Sequence, residues 1–286
     1  MEIVEHLFIV CSPLQLRIVS KIKARYKHAR FHIIYLKTKV ELKSYIYETV
    51  NNEFSSGLVA SMDYGFINML KINRFLSHKT IHYVYMANIS HLSVQYILKM
   101  LSDDVKIRTF DDGILSINSA GYLDKQIKLR KGPGRKLTRM WLGQHYNIRD
   151  IAKRSELHFS IVKHKSKSRN VDCDIVYIDV LSEEKQRLHT ERSAPVYAGE
   201  INVFVGSKFK DILDVKNDSN LIALIHKIET LAAHYPSLQY LRHPREYSQQ
   251  VFGMTEITLN AISEDYICQL SSAYQRRSEE RRVGKE

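Results

Sequence analysis

Two adjacent carboxylates followed by a glycine, Asp111–Asp112–Gly113, bring acid–base chemistry to one turn of this chain. Adjacent carboxylates repel, and partial burial can keep one of them protonated up to near neutral pH. A carboxylate so placed can take a proton from a hydroxyl group. Gly113 lets the chain turn with no side chain in the way. A second motif is His243–Pro244–Arg245. Proline biases the residue before it to extended backbone, and an imidazolium there can protonate or hydrogen-bond a departing phosphate, with Arg245 adding charge. Gly206–Ser207 can turn backbone N–H groups toward a phosphate or a base. Glu264, in Glu264–Asp265–Tyr266, can hold both hydroxyls of a ribose. Taken singly, each motif has a structural alternative that stays open. Asp and Gly are common turn residues, a loop histidine is one of 13 in the chain, and an acid at a helix start is favoured by the macrodipole.

The elements that must position these residues alternate. His6–Cys11 reads as a buried strand, followed by Ser12–Pro13 and an amphipathic helix through Ile22. Phe31–Leu36 is the next strand, and a helix is expected from Val40 to Asn51. Ile81–Met86 is a strand, with Ser90 as the N-cap of a helix Leu92–Leu101. Val105–Phe110 is a strand that ends directly at Asp111. After a basic, turn-rich stretch Lys131–Arg135, a long helical segment runs through Trp141 to Ile151. A second set begins with the strand Ile201–Val205, a helix from about Ser219 to His234, and the strand Leu238–Leu241 just before His243. This rhythm predicts α/β architecture: parallel sheet covered by helices on both faces. Ligands of such sheets bind beyond the carboxyl ends of the strands, where Ser12–Pro13 and Asp111–Gly113 fall. The expected organisation is an αβ domain over 1–165, an irregular polar linker over 166–199, and an αβ domain over 200–276.

Composition narrows the function. With 44% hydrophobic and 26% charged residues the chain is an ordinary globular one. A net charge of +12 favours phosphate-bearing partners, yet no zinc spacing or aromatic RNA-binding signature argues for nucleic acid. Cys11, Cys173 and Cys268 stand too far apart to suggest a disulfide framework, which fits a cytoplasmic setting. No apolar run approaches a membrane span, and no signal-peptide pattern opens the chain. Clustered histidines or a third carboxylate that would build a metal site are missing. Walker, GxGxxG, GxSxG and HExxH motifs are absent too, against kinase, dehydrogenase, esterase and zinc-protease readings.

In colinear order the chain resembles the glycosyltransferase family 52 sialyltransferases. The resemblance runs on Cys11–Leu16, Lys106–Gly113, Arg139–Gly143, His158–Lys163, Val205–Ser207, Gln239–Arg245 and Glu264–Ile267. It implies a GT-B fold, two Rossmann-like domains facing a cleft, with the 1–165 domain on the acceptor side and the 200–276 domain binding nucleotide. It implies inverting transfer of sialic acid from CMP-sialic acid to a terminal sugar of lipooligosaccharide or capsule, with no metal or other cofactor. His243 inherits the acid role. Asp112 is the first choice for the base and Asp211 the reserve. Gly206, Ser207, Pro244, Arg245 and Glu264 would bind the donor. The implied partners are a nucleotide-sugar donor and a glycan acceptor, with peripheral association at the inner membrane face and a homodimer as further expectations. A GT-B transferase using another nucleotide sugar is the alternative.

Residues 277–286 read like a translated sequencing adapter. On that reading the second domain is truncated and the chain is a fragment of doubtful activity.

Overall fold

The computed structural model of the chain describes residues 3–37, 44–62, 65–87, 89–111, 148–161, 173–180, 202–205, 218–241 and 253–257. Two compact units divide the chain, Met1–Val180 and Leu181–Glu286.

In the first unit the order is β1 (Val4–Val10), α1 (Pro13–Lys23), β2 (Ala29–Lys37), α2 (Ser44–Asn52), β3 (Ser56–Ser61) and α3 (Phe66–Leu76). There follow β4 (Ile81–Met86), α4 (Leu92–Met100), β5 (Lys106–Phe110), α5 (Ile148–Arg154), β6 (Ser155–Ser160) and β7 (Asp174–Tyr177). The seven strands form one parallel sheet in the order β3-β2-β1-β4-β5-β6-β7. Strand periodicity explains both cores. Leu7 and Ile9 of β1 pack on one face and Phe8 and Val10 on the other, as a period of two requires. Ile72 of α3, Val94 and Ile97 of α4 and Ile151 of α5 cover the first face. Leu16 and Val19 of α1 and Val50 of α2 cover the second. Each such side chain contributes about 1.5–3 kcal/mol on burial, more than the rotamer entropy it loses.

Gly57 shows how tightly α2 sits on β3. A Cβ there would meet the carbonyl oxygen and Cγ1 of Val50, so only glycine lets the helix approach this closely. The strand order reverses direction between β1 and β4, and the carboxyl ends of strands at such a reversal form the ligand crevice of open α/β sheets.

Away from that edge, His6 of β1 is enclosed by aromatic rings. It is 2% exposed. Its ring stacks on Tyr83 at 5.0 Å, and its Nδ1 lies 2.9 Å from the Tyr85 hydroxyl. That hydroxyl accepts from Arg108 Nη1 at 2.8 Å, leaving its own proton to donate to neutral His6. Burial, followed by the charges of Arg108 and His82, lowers the His6 pKa from 6.5 to about 4. The unfolded chain takes up this proton first as pH falls. Stability is therefore complete above about pH 6.5 and is lost down to about pH 4. The expected loss through this one group is on the order of 3 kcal/mol. Urea melts at pH 7 and pH 4.5 check it. His6→Phe should flatten the acid limb, and an unchanged limb in that variant would refute the assignment.

The second unit carries β8 (Asn202–Val205), α6 (Asp218–His234), β9 (Leu238–Leu241) and β10 (Thr255–Glu256). Its three strands are parallel in the order β10-β9-β8. Ile228, Leu238, Tyr240 and Met254 form its core, and the Phe204 ring stacks on Tyr240 at 6.0 Å. Each unit is Rossmann-like.

Two local expectations change. The N-cap of α4 is His91, not Ser90: its Nδ1 accepts from Ser93 N at 3.3 Å, and the helix starts at Leu92 as expected. β7 lies inside the 166–199 stretch expected to be irregular, and the first unit runs to Val180. Asp-Ile-Val-Tyr is too short to show a period, and it forms by pairing with β6 at the sheet edge. Of the long helix expected through Trp141 to Ile151, Ile148–Ile151 falls in α5 and the part before Ile148 lies outside the described residues.

Candidate active site

At the carboxyl edge of the first sheet, two sequence motifs become geometry. The first follows β1. Ser12 is the N-cap of α1, with extended backbone and its Oγ accepting from Gln15 N at 3.2 Å. The Gln15 carboxamide reaches back so that its Oε1 accepts from Cys11 N at 2.6 Å. This is a capping box shifted by one residue, with Pro13 at the first helical position. The Cys-Ser-Pro-Leu-Gln sequence thus has a local structural role, which is to turn β1 into α1.

The second motif follows β5. Residues Ile107, Thr109 and Asp111 share one face by alternation, and Asp111 is fully buried. Its backbone N–H donates to Phe159 O at 3.1 Å. Its carboxylate is held by three groups of β6 and its exit. Oδ1 lies 3.0 Å from His158 Nε2, and Oδ2 accepts from Ser160 Oγ at 2.8 Å and from Ile161 N at 2.9 Å. The other nitrogen of His158, Nδ1, lies 2.8 Å from Thr109 Oγ1, which is 3.0 Å from Ser155 Oγ. Ser155 Oγ in turn reaches Leu157 O at 3.2 Å. The first acid of the pair is thus built into a buried network. A carboxylate so enclosed anchors the end of β5 to β6.

Asp112 is the next residue and lies outside the described residues. Asp211, Gly206, Ser207, His243, Pro244, Arg245 and Glu264 lie outside them as well. What is described is where the chain leaves for two of these motifs. β8 ends at Val205, directly before Gly206, and β9 ends at Leu241, two residues before His243. The two strands are parallel neighbours with Val205 opposite Leu241. Both motifs therefore depart from the same end of one sheet, from strands that pair about 4.8 Å apart. Among the described residues no cluster of three His, Cys, Asp or Glu side chains could hold a metal.

Sequence reasoning missed His158, Ser160 and Thr109 as partners of the acidic pair. A signal existed in β6, where His158 and Ser160 occupy alternate positions on either side of buried Phe159. Only the register, Thr109 opposite His158, shows what they face.

Comparison with known proteins agrees with this architecture. Residues 28–279 match the pattern of glycosyltransferase family 52. A CMP-N-acetylneuraminate:beta-galactoside alpha-2,3-sialyltransferase of Pasteurella multocida (strain Pm70) is 28% identical over 271 residues, covering 92% of this chain and 80% of that protein. Among solved structures, a UDP-N-acetylglucosamine 2-epimerase from Rickettsia bellii superposes with a TM-score of 0.51 at 11% identity. That match covers 93% of this chain and 71% of the epimerase, and it speaks to the fold alone. With a family match spanning the acidic pair and the His-Pro motif, the chain belongs to glycosyltransferase family 52, and it is a glycosyltransferase.

Proposed function

We propose that this protein transfers sialic acid from CMP-sialic acid to a terminal sugar of a surface glycan, lipooligosaccharide or capsule, with inversion at the anomeric carbon. The observation that carries the reading is the division of labour at the end of β5. Asp111 is consumed by His158, Ser160 and Ile161, so Asp112 is the acid of the pair left for chemistry. The donor is inferred from the Pasteurella relative, whose name states it.

In the proposed step the acceptor hydroxyl oxygen attacks the anomeric carbon as the bond to the phosphate oxygen breaks. Asp112 takes the hydroxyl proton, with Asp211 in reserve. His243 gives a proton to the departing CMP phosphate. Arg245 and the N–H groups of Gly206 and Ser207 meet the phosphate charge, Pro244 holds His243 extended, and Glu264 binds the ribose. Positioned charge at such a step supplies several kcal/mol, and no metal is needed where His243 and Arg245 neutralise the leaving group. Thermal melts with CMP, UMP and GMP test the nucleotide part. CMP alone should raise the melting temperature by a few degrees at saturating concentration, and a larger shift with UMP would favour a UDP-sugar donor.

The acceptor reading also implies contact with a lipid surface. The first turns of α3 expose Phe66, Ile67 and Leu70 beside exposed Lys71 and Arg74, a pairing suited to an anionic bilayer surface. Co-sedimentation with anionic vesicles, lost in a Phe66→Ser/Ile67→Ser variant, tests this. Wild-type protein left in the supernatant would refute it.

A further inference from the structure

We propose that His158 is a positioning residue for the transfer reaction, acting through Asp111 on Asp112; this rests on the reading of Asp112 as the base. Asp112 is bonded directly to Asp111, so the point from which it starts is fixed by how Asp111 is held. Among the described residues Asp111 is held at four points, one through its backbone N–H and three through its carboxylate, and these four contacts come from β6 or its exit. His158 supplies the contact to Oδ1.

The imidazole is itself fixed at both nitrogens, because Thr109 Oγ1 lies 2.8 Å from Nδ1. Either hydroxyl direction suits it. In the neutral ring Thr109 donates to Nδ1 and Ser155 gives its single proton either to Thr109 or to Leu157 O; in the imidazolium Nδ1–H donates to Thr109, Thr109 to Ser155 and Ser155 to Leu157 O. Nε2–H donates to Asp111 in both arrangements. Stability alone does not call for such a network, since well-packed apolar side chains replace buried ion pairs at little cost. Its place is the informative part. It lies at the carboxyl edge of the sheet, immediately before the acid assigned to catalysis, where an ångström of displacement costs about a hundredfold in rate.

Two amide substitutions separate positioning from mere folding. Glutamine places its Nε2 where the histidine Nε2 is and can still donate to Asp111. Asparagine is shorter, replaces only the Nδ1 side of the ring and leaves Oδ1 of Asp111 unmet. His158→Asn should lower kcat roughly ten- to a hundredfold with donor KM within about threefold, while His158→Gln stays within about threefold of the parent. In an Asp112→Asn background, His158→Asn should lower kcat little further, as expected of residues acting as one unit. Independently of turnover, His158→Asn should speed hydrogen exchange at the amides of Asp111 and Ile161.

Unchanged exchange at those amides, or an undiminished kcat in His158→Asn, overturns the proposal. So does a fall of kcat in both variants in proportion to melting temperature. If Asp112→Asn turns over normally, the base reading fails and this proposal falls with it. That result is distinct from an inactive Asp112→Asn beside a fully active His158→Asn, which removes the proposal alone.

Discussion

Replacing His243 with alanine is expected to lower kcat for sialyl transfer by about 10²–10⁴-fold, the usual contribution of a general acid. The proposed leaving group is a phosphate monoester, so two roles for this histidine must be told apart. A hydrogen bond that only grips the phosphate equally in ground and transition states would appear in donor KM, with kcat preserved. A proton delivered as the bond breaks appears in kcat. It also sets an alkaline limb in the rate profile, because the acid must be protonated to act. His243→Ala should remove that limb along with the rate. Steady-state kinetics between pH 6 and 9 check both features. A kcat within threefold of the parent would take the acid role from His243, even if KM rises.

The second large effect is on folding. Asp111→Ala removes the acceptor that faces His158 Nε2, Ser160 Oγ and Ile161 N. Leaving buried donors unpaired costs about 1–3 kcal/mol each, though relaxation and entering water recover part of it. With three donors facing the lost carboxylate, the total is about 3–5 kcal/mol. For a unit of this size that lowers the melting temperature by roughly 10 °C. Asp111→Asn should cost much less. Its remaining oxygen can still accept from Ser160 and Ile161, and its amide can donate to His158 once the imidazole tautomer reverses. The expected order is therefore parent, then Asn, then Ala, by thermal melt and by urea midpoint. An Ala variant within 1 °C of the parent would mean that the network contributes nothing to the fold.

How much of this could be read beforehand differs from element to element. β4 at Ile81–Met86 and β9 at Leu238–Leu241 stand out as short apolar runs, and their observed bounds coincide with the expected ones. β1 is legible because apolar residues fill both of its faces, as in any strand buried on two sides. β3 and α3 are harder to read. Ser-Gly-Leu-Val-Ala-Ser has little alternation, and the exposed Phe66, Ile67 and Leu70 blur the helical period of α3. β7 is four residues at a sheet edge, defined by its partner and not by its own pattern.

The site divides in the same way. That acids sit at the end of β5 follows from reading a strand up to Phe110. Which acid is buried does not follow from alternation, since both faces of β5 are covered, with Ile107 and Thr109 buried on one and Phe110 on the other. What holds Asp111 does not follow, because its partners lie 47 to 50 residues further along the chain and meet it only through strand register. In the second unit, local pattern showed β8 and β9 but not the two-residue β10, and the alignment of Val205 with Leu241 is a property of the assembled sheet.

Everything proposed for the reaction turns on CMP-sialic acid being the donor. The most direct measurement incubates the full chain with that donor and a terminal β-galactoside, then quantifies CMP and sialylated product together by mass spectrometry. Both should appear in equal amounts, with no product from UDP-sugar donors under the same conditions. Turnover of a UDP-sugar, with no CMP released from CMP-sialic acid, would contradict that assignment.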